Sequence, residues 1–313
     1  MASILNSPVN IIVYRGWSGS GKYVWSPFVT KLEARFRFAG LPYRTEAGSM
    51  WKAPRGKIPY IAISNTHAHS HAQAAPTMLA DTTLISQVLV EEGLLDNINA
   101  SLSPSDKAHD LALRALLEDR LYWYQVNMKL KWRQRAFILD APTDLEPPYL
   151  KGYERWHENY YTMRSSVLSE LPYPVQLCVG LLAYHKNMRT LYGQGTGRFT
   201  EGEIDSFKWQ VWKSIDALLI ASKETHGSTA GGKVFWVLGG NGPSEADTTL
   251  YGFIASALVC TACVYLGCSV VCDYANTLAR APKTMKIIRS LPGVMDYAQR
   301  IHDLYFPDYT HWN

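Results

Sequence analysis

The chain has 313 residues, 47% of them hydrophobic and 19% charged, and a net charge of +4. That length and composition supply material for about two cored domains and exclude a disordered chain. The mild basic excess gives no case for a nucleic-acid partner, because the densest basic stretch, Lys129 to Arg135, reads as a solvated helix face. Five cysteines and a start, Met-Ala-Ser-Ile-Leu-Asn, without a basic-then-apolar layout predict a reduced cytoplasmic compartment.

The first elements follow one another closely. Val9 to Tyr14 is a short β-rich run, followed by a glycine-rich segment. From Pro27 to Ala39 a helix is expected, with Phe28, Leu32, Phe36 and Ala39 on one stripe and Gly40 ending it. Pro27 suits the first helical turn, where a missing N–H costs nothing. Leu41 to Glu46 reads as extended, Ile58 to Ile63 as a strand, Thr77 to Ala80 as a brief further strand, and Asp81 to Glu92 as a helix. This β-α-β then β-β-α order is the thioredoxin-like plan, and it assigns residues 1–93 to one domain.

Leu94 to Leu102 reads as a linker, and residues 103–313 as an all-helical second domain. Ser103-Pro104-Ser105-Asp106 is a capping box with proline at the first helical position. Thr200 to Glu203 and Ser244 to Asp247 repeat the capping-box pattern. Val234 to Leu238 is the one strand-like interruption, and Pro142 to Pro148 is a loop between helices. Gly252 to Val271 carries no charge and is long enough to cross a bilayer. Its Ala, Ser, Thr, Cys and Gly content and its lack of a flanking basic cluster make it a buried helix instead. Cys260, Cys263, Cys268 and Cys272 inside it lack paired zinc-site spacing and read as small core residues. No membrane span is therefore expected.

Three features could hold a thiol-bearing peptide. Ile58-Pro59 stands at the entry of a strand, where proline is tolerated because no ladder donor is needed. A cis bond there would turn the Ile58 backbone outward to pair with a peptide-like ligand. Asp81-Thr82 opens a helix, whose N–H groups and dipole suit a carboxylate while Asp81 suits an amino group. The γ-glutamyl end of glutathione carries both. Ser26 precedes Pro27 at another helix start, where a hydroxyl can donate to a thiolate. The plainer alternatives are a turn at Pro59 and simple caps at Asp81 and Ser26.

Trp25 to Tyr43, Gly56 to Ile61, Ala80 to Ile85, Gly195 to Ile204, Lys233 to Gly240, Ser244 to Gly252 and Tyr297 to Pro307 together resemble the glutathione transferase superfamily. The closest likeness is to its metaxin-like and failed-axon-connections-like branch. The resemblance implies a thioredoxin-like glutathione-binding domain followed by a helical domain. It also implies a cis bond before Pro59, backbone pairing of glutathione by Ile58, and γ-glutamyl recognition by Asp81 and Thr82, with Lys52 in the same binding set. Ser26 would take the place of the thiol-activating residue, and Gly252 to Val271 would be the central buried helix. Val29 stands where branch members often carry cysteine, and the loop from Gly16 to Tyr23 is longer and richer in glycine than usual. The implied activity is addition of the glutathione thiolate to a small apolar electrophile, or a related addition, elimination or isomerisation. The alternatives are a non-catalytic adaptor or organelle-associated protein, and a glutathione-independent enzyme of specialised metabolism. A homodimer is expected only at family level.

Gly16 to Tyr23 competes as a phosphate cradle, since it satisfies most of G-x-x-x-x-G-K-[ST] after a strand. Tyr23 replaces the small hydroxyl, and helix entry is delayed to Pro27. The loop is therefore expected to roof the pocket, with Trp17, Tyr23 and Trp25 as walls for the co-substrate and Tyr122 as a further wall or as aromatic packing. His67, His69 and His71 alternate like a strand but read as a solvated loop, so no metal is assigned.

Overall fold

The computed structural model of the protein describes residues 9–17, 19–49, 52–65, 76–125, 172–226, 235–260 and 283–312. The His67–His71 stretch, the basic run Lys129–Arg135, the loop Pro142–Pro148 and Cys263, Cys268 and Cys272 lie outside them.

Strand β1, Val9–Tyr14, buries Ile11 and Val13 while Ile12 and Tyr14 stay half-buried, the alternation of a strand covered unequally on its two faces. With β2 (Arg44–Glu46), β3 (Tyr60–Asn65) and β4 (Thr77–Ala80) it forms a sheet in the order β2-β1-β3-β4. β1 runs parallel to β2 and antiparallel to β3, and β3 runs antiparallel to β4. On one face, Ile11, Val13 and Ile61 pack with Leu32 and Phe36 of helix α1 (Pro27–Phe38) and with Ile85 and Leu89 of α2 (Thr82–Glu91). The other face is smaller. There Tyr14 stacks on Tyr60 at 4.4 Å, and Tyr60 packs with Ala53 and Ala80.

Nine residues of α1 are buried, among them Lys31, Glu33 and Arg35. A helix covered on both sides explains this, because α1 also packs against a helix of distant sequence, Glu245–Leu258. Between them in chain order lie α3 (Pro104–Ala115), the π-helix Leu116–Leu121, α4 (Tyr173–Gln194), a short 3₁₀ turn at Thr196–Arg198 and α5 (Glu201–His226). Glu245–Leu258 is α6, followed by α7 (Lys283–Arg289) and α8 (Pro292–Tyr305). Gly252 makes the α1–α6 approach. A Cβ there would lie 2.4 Å from the Pro27 carbonyl oxygen and 2.8 Å from the Lys31 nitrogen. Phe28 meets Phe253 edge-on at 6.1 Å along the same seam.

α6 is closed at its start by Ser244 and Asp247, the capping box expected from sequence. The buried Asp247 carboxylate accepts from Ser244 N at 2.8 Å, Ser244 Oγ at 2.7 Å, Val237 N at 2.8 Å and Tyr297 Oη at 2.8 Å. Thr200 and Glu203 close α5 in the same way, and at α3 the Ser103 hydroxyl accepts from Asp106 N at 3.1 Å and donates to the Asp106 carboxylate at 2.7 Å. The described part of Val234–Leu238 is turn and coil, not strand. The Val237 N–H goes to Asp247 and the Trp236 carbonyl accepts from Ser222 Oγ at 2.6 Å, which removes both from any ladder.

The chain packs as two compact units, one from Met1–Leu111, Ser222–Val259 and Tyr297–Asn313, the other from Ala112–Ala221 and Cys260–Asp296. The first holds the sheet, α1, α2 and α6. In the second, Asp216 accepts from Val294 N at 3.0 Å, and Lys283 pairs with Asp205 at 2.6 Å. Among the described residues no helix is long and apolar enough to cross a membrane. The uncharged Gly252–Val271 run is helical to Leu258, and residues 261–271 lie outside the described set.

Candidate functional site

The sheet's register brings the sequence candidates to one end of it. Tyr14 pairs with Tyr60 and Tyr60 with Ala80, so the exit of β1, the entry of β3 and the exit of β4 share an edge. The Ile58–Pro59 bond just before β3 is cis, with Pro59 buried and Ile58 half-buried. Gly16, two residues past β1, crosses directly over Ile58. A Cβ on Gly16 would lie 2.9 Å from Ile58 Cδ1, and the glycine's φ of 79° is one that side-chain-bearing residues avoid.

Asp81 follows β4 on the same edge. Its φ of 78° makes it the one non-glycine residue with positive φ among those described. Its Oδ1 accepts from Thr83 N at 3.1 Å and Leu84 N at 3.3 Å, capping α2. Capping alone does not ask for this backbone, since N-cap residues ordinarily sit in the extended region. A non-glycine residue held there marks a site where the surroundings impose the conformation. Its carboxylate is exposed, the adjacent Thr82 is buried, and Lys52 is exposed beside Ala53, which packs on Tyr60 and Ala80.

Ser26 holds the N-cap position of α1 with φ −84° and ψ 115°, yet its hydroxyl makes no capping hydrogen bond. The oxygen stays available at the positive end of a twelve-residue helix. Val29, one turn further, is buried. Trp17 and Trp25, both half-buried, bracket the loop with ring centroids 6.4 Å apart.

Tyr23 goes elsewhere. It is buried, with its hydroxyl 2.5 Å from Tyr251 Oη and 2.7 Å from His302 Nδ1. The rings of Phe306, Tyr309 and Trp312 surround it at 5.1–5.6 Å. Burial pushes its phenol well above the ordinary range. Tyr23 is thus placed as a core residue rather than a wall. Tyr122 belongs to the other unit, where it is half-buried and edge-on to Trp123 at 5.3 Å. Cys260 is buried, as a core cysteine would be.

Sequence reasoning missed the residue that organises the glycine loop. Arg15 is fully buried, donating from Nη1 to the Gly19 carbonyl at 2.8 Å and from Nη2 to the Lys22 carbonyl. Its Nε stands 3.0 Å from Oε1 of Glu33, a buried residue of α1 that also accepts from Tyr309 Oη at 3.0 Å. The loop therefore turns carbonyls inward around a cation, the opposite polarity to a phosphate cradle. Burial pushes the Glu33 carboxyl up to about 7, with Arg15 and Tyr309 offsetting part of that rise. The signal that could have found this pair is Arg15 itself, a charge at the end of an apolar strand. Among the described residues no group of three His, Cys, Asp or Glu is arranged to hold a metal.

Residues 27–134 match the family model described as the glutathione S-transferase N-terminal domain. Among solved structures, the chain is similar to a glutathione transferase family member from Pseudomonas fluorescens with two glutathione bound. The two are 12% identical over 95% of this chain and 91% of that one, with a TM-score of 0.41. It is also similar to glutathione transferase Omega 2S from Trametes versicolor in complex with 2,4-dihydroxybenzophenone, at 13% identity over 97% and 93% and a TM-score of 0.40. A third is maleylacetoacetate isomerase from Anaeromyxobacter dehalogenans with bound dicarboxyethyl glutathione and citrate, at 10% identity over 99% and 96% and a TM-score of 0.37. The sheet order and the matched segment give an N-terminal thioredoxin-like domain of the glutathione S-transferase kind, followed by a remainder that is helical among the described residues.

Proposed function

We propose that the protein binds glutathione at the sheet edge formed by Ile58, Asp81 and the start of α1, and adds its thiolate to a small apolar electrophile. The observation that carries this reading is Asp81, an exposed carboxylate on a left-handed backbone at the head of α2, on the same sheet edge as the β3 entry. Such a carboxylate suits the ammonium of the γ-glutamyl group, and the Thr82 N–H at the helix start suits its carboxylate. The Ile58 backbone would pair with the cysteinyl unit, and Lys52 would meet a carboxylate of the tripeptide.

The chemistry then falls to Ser26. Its hydroxyl donates to the thiolate sulfur, and the α1 dipole lowers the thiol's pKa, so that more nucleophile exists at neutral pH. The sulfur lone pair forms a C–S bond at the electrophilic carbon. The displaced electron pair leaves with the departing group, or goes to a neighbouring carbon that takes up a proton. Trp17 and Trp25 offer apolar faces for the electrophile.

Isothermal titration with glutathione tests the reading. We expect saturable binding by the native protein and at least a tenfold loss in Asp81→Ala, with cooperative unfolding retained. Ser26→Ala should keep the affinity within a few-fold while lowering the conjugation rate by about a hundredfold, the scale typical of one transition-state donor. Native protein that takes up no glutathione would refute the proposal. Binding with no turnover across a panel of electrophiles would favour the non-catalytic adaptor.

A further inference from the structure

We propose that Arg15 is a positioning residue, whose guanidinium sets the course of the Gly16–Trp25 loop and so the place of Trp17, Trp25 and Ser26. The inference rests on the proposed function for the meaning of those three residues. The hold on the loop itself does not depend on it.

The guanidinium fork reaches three segments at once. Its Nη atoms donate to the Gly19 and Lys22 carbonyls, and its Nε faces Glu33, about two turns into α1. One rigid plane thus ties both limbs of the loop to the helix that the loop feeds. Arg15's own backbone is fixed from behind, its N–H donating to the Glu46 carbonyl of β2 at 2.9 Å. A lysine could not repeat this, because a single ammonium on a flexible stem lacks the fork.

The loop needs such a device. Gly16, Gly19 and Gly21 all have positive φ, at 79°, 99° and 69°. A chain built on such residues loses more backbone entropy on ordering than any other. One further tie comes from the C-terminal segment, where Thr310 N donates to the Gly21 carbonyl at 2.8 Å.

The cost of the arrangement also points to a purpose. Taking a guanidinium and a carboxyl group out of water is unfavourable, and apolar residues of similar volume often fill such a place with no loss of stability. What an apolar pair cannot do is donate to two loop carbonyls.

The test is the double variant Arg15→Met/Glu33→Leu, which removes both charges together and leaves neither unpaired. Hydrogen–deuterium exchange is read over residues 16–25, with β3 and α2 as internal references, alongside titration with glutathione. We expect exchange in 16–25 to rise at least tenfold, reference amides to keep native protection, and glutathione affinity or the KM for the electrophile to worsen more than kcat. Native exchange rates over 16–25 in the folded variant would overturn the positioning role. If the double variant does not fold, Arg15→Lys decides: faster exchange confined to the loop supports the inference, and native rates overturn it. A native protein that ignores glutathione would sink the proposed function but leave the exchange result decisive for Arg15.

Discussion

The Asp247 carboxylate accepts from two backbone N–H groups, a serine hydroxyl and a tyrosine hydroxyl, in a place sealed from water. Burial raises its pKa, and those donors work against the rise. Asp247→Ala would leave the donors of Val237, Ser244 and Tyr297 unmet, which costs on the order of 3 kcal/mol or more. The urea midpoint should fall accordingly. Glu33 makes a different prediction. Its carboxyl sits at about 7 in the folded chain, above its ordinary value of 4.5, so the folded state binds more protons across that interval. Stability from this group is therefore fully present below about 4.5 and is lost as pH rises through about 7, by at most roughly 3 kcal/mol. Urea unfolding at pH 5 and pH 8 should show this decline in the native protein and a flatter profile in Glu33→Gln. Asp308 runs the other way. Hydrogen bonds from Arg37 hold its carboxyl below the usual range, so its contribution exists above about pH 4 and disappears in acid, outside the Glu33 window.

Helix α1 is the element on which the fold and the candidate site both depend. One side lies on Ile11, Val13 and Ile61 of the sheet, and the other on α6. Its first residue, Pro27, presents its carbonyl to Gly252, and Ser26 immediately precedes it. Gly252→Ala would thrust a methyl into backbone, which cannot rotate away as a side-chain end could. We expect a loss of about 1–3 kcal/mol, the usual cost of overpacking, read as a lower thermal midpoint. The same substitution should displace the α1 N-terminus and weaken any activity that uses Ser26. A Gly240→Ala control, where the nearest atom is 3.7 Å away, should leave both unchanged.

At the level of the whole molecule, the C-terminal segment completes the first unit. Phe306, Tyr309 and Trp312 are buried, Arg37 makes a bidentate pair with Asp308, and Arg37 also lies 4.4 Å over the Phe306 ring. Ending the chain at Tyr305 would expose the bed of three aromatic side chains, each worth about 1.5–3 kcal/mol on burial. The truncated protein should lose about 5 kcal/mol or more, enough to leave it largely unfolded at 37 °C by circular dichroism. Much of the architecture was legible beforehand. β1 spans Val9–Tyr14 as its β-rich composition indicated, the helix opening at Pro27 ends within a residue of Gly40's predecessor, the capping boxes at Thr200 and Ser244 form, and Ser103 caps α3 through its hydroxyl. The candidate site was legible in part, since Ile58, Asp81 and Ser26 stand at a strand entry and two helix starts. Strand alternation, helix stops and caps are decided among residues a few positions apart, so local pattern carries them. Tyr23 lies in the core rather than at a pocket wall, because its hydroxyl partners stand 228 and 279 residues away. Arg15 and the Val237 turn depend on nearer partners, Glu33 and Asp247, but these still lie outside any helical or strand period and meet them only through side chains across a turn or loop. Short-range chemistry names the elements; which polar groups are cut off from water, and who then satisfies them, is settled only when the chain closes on itself.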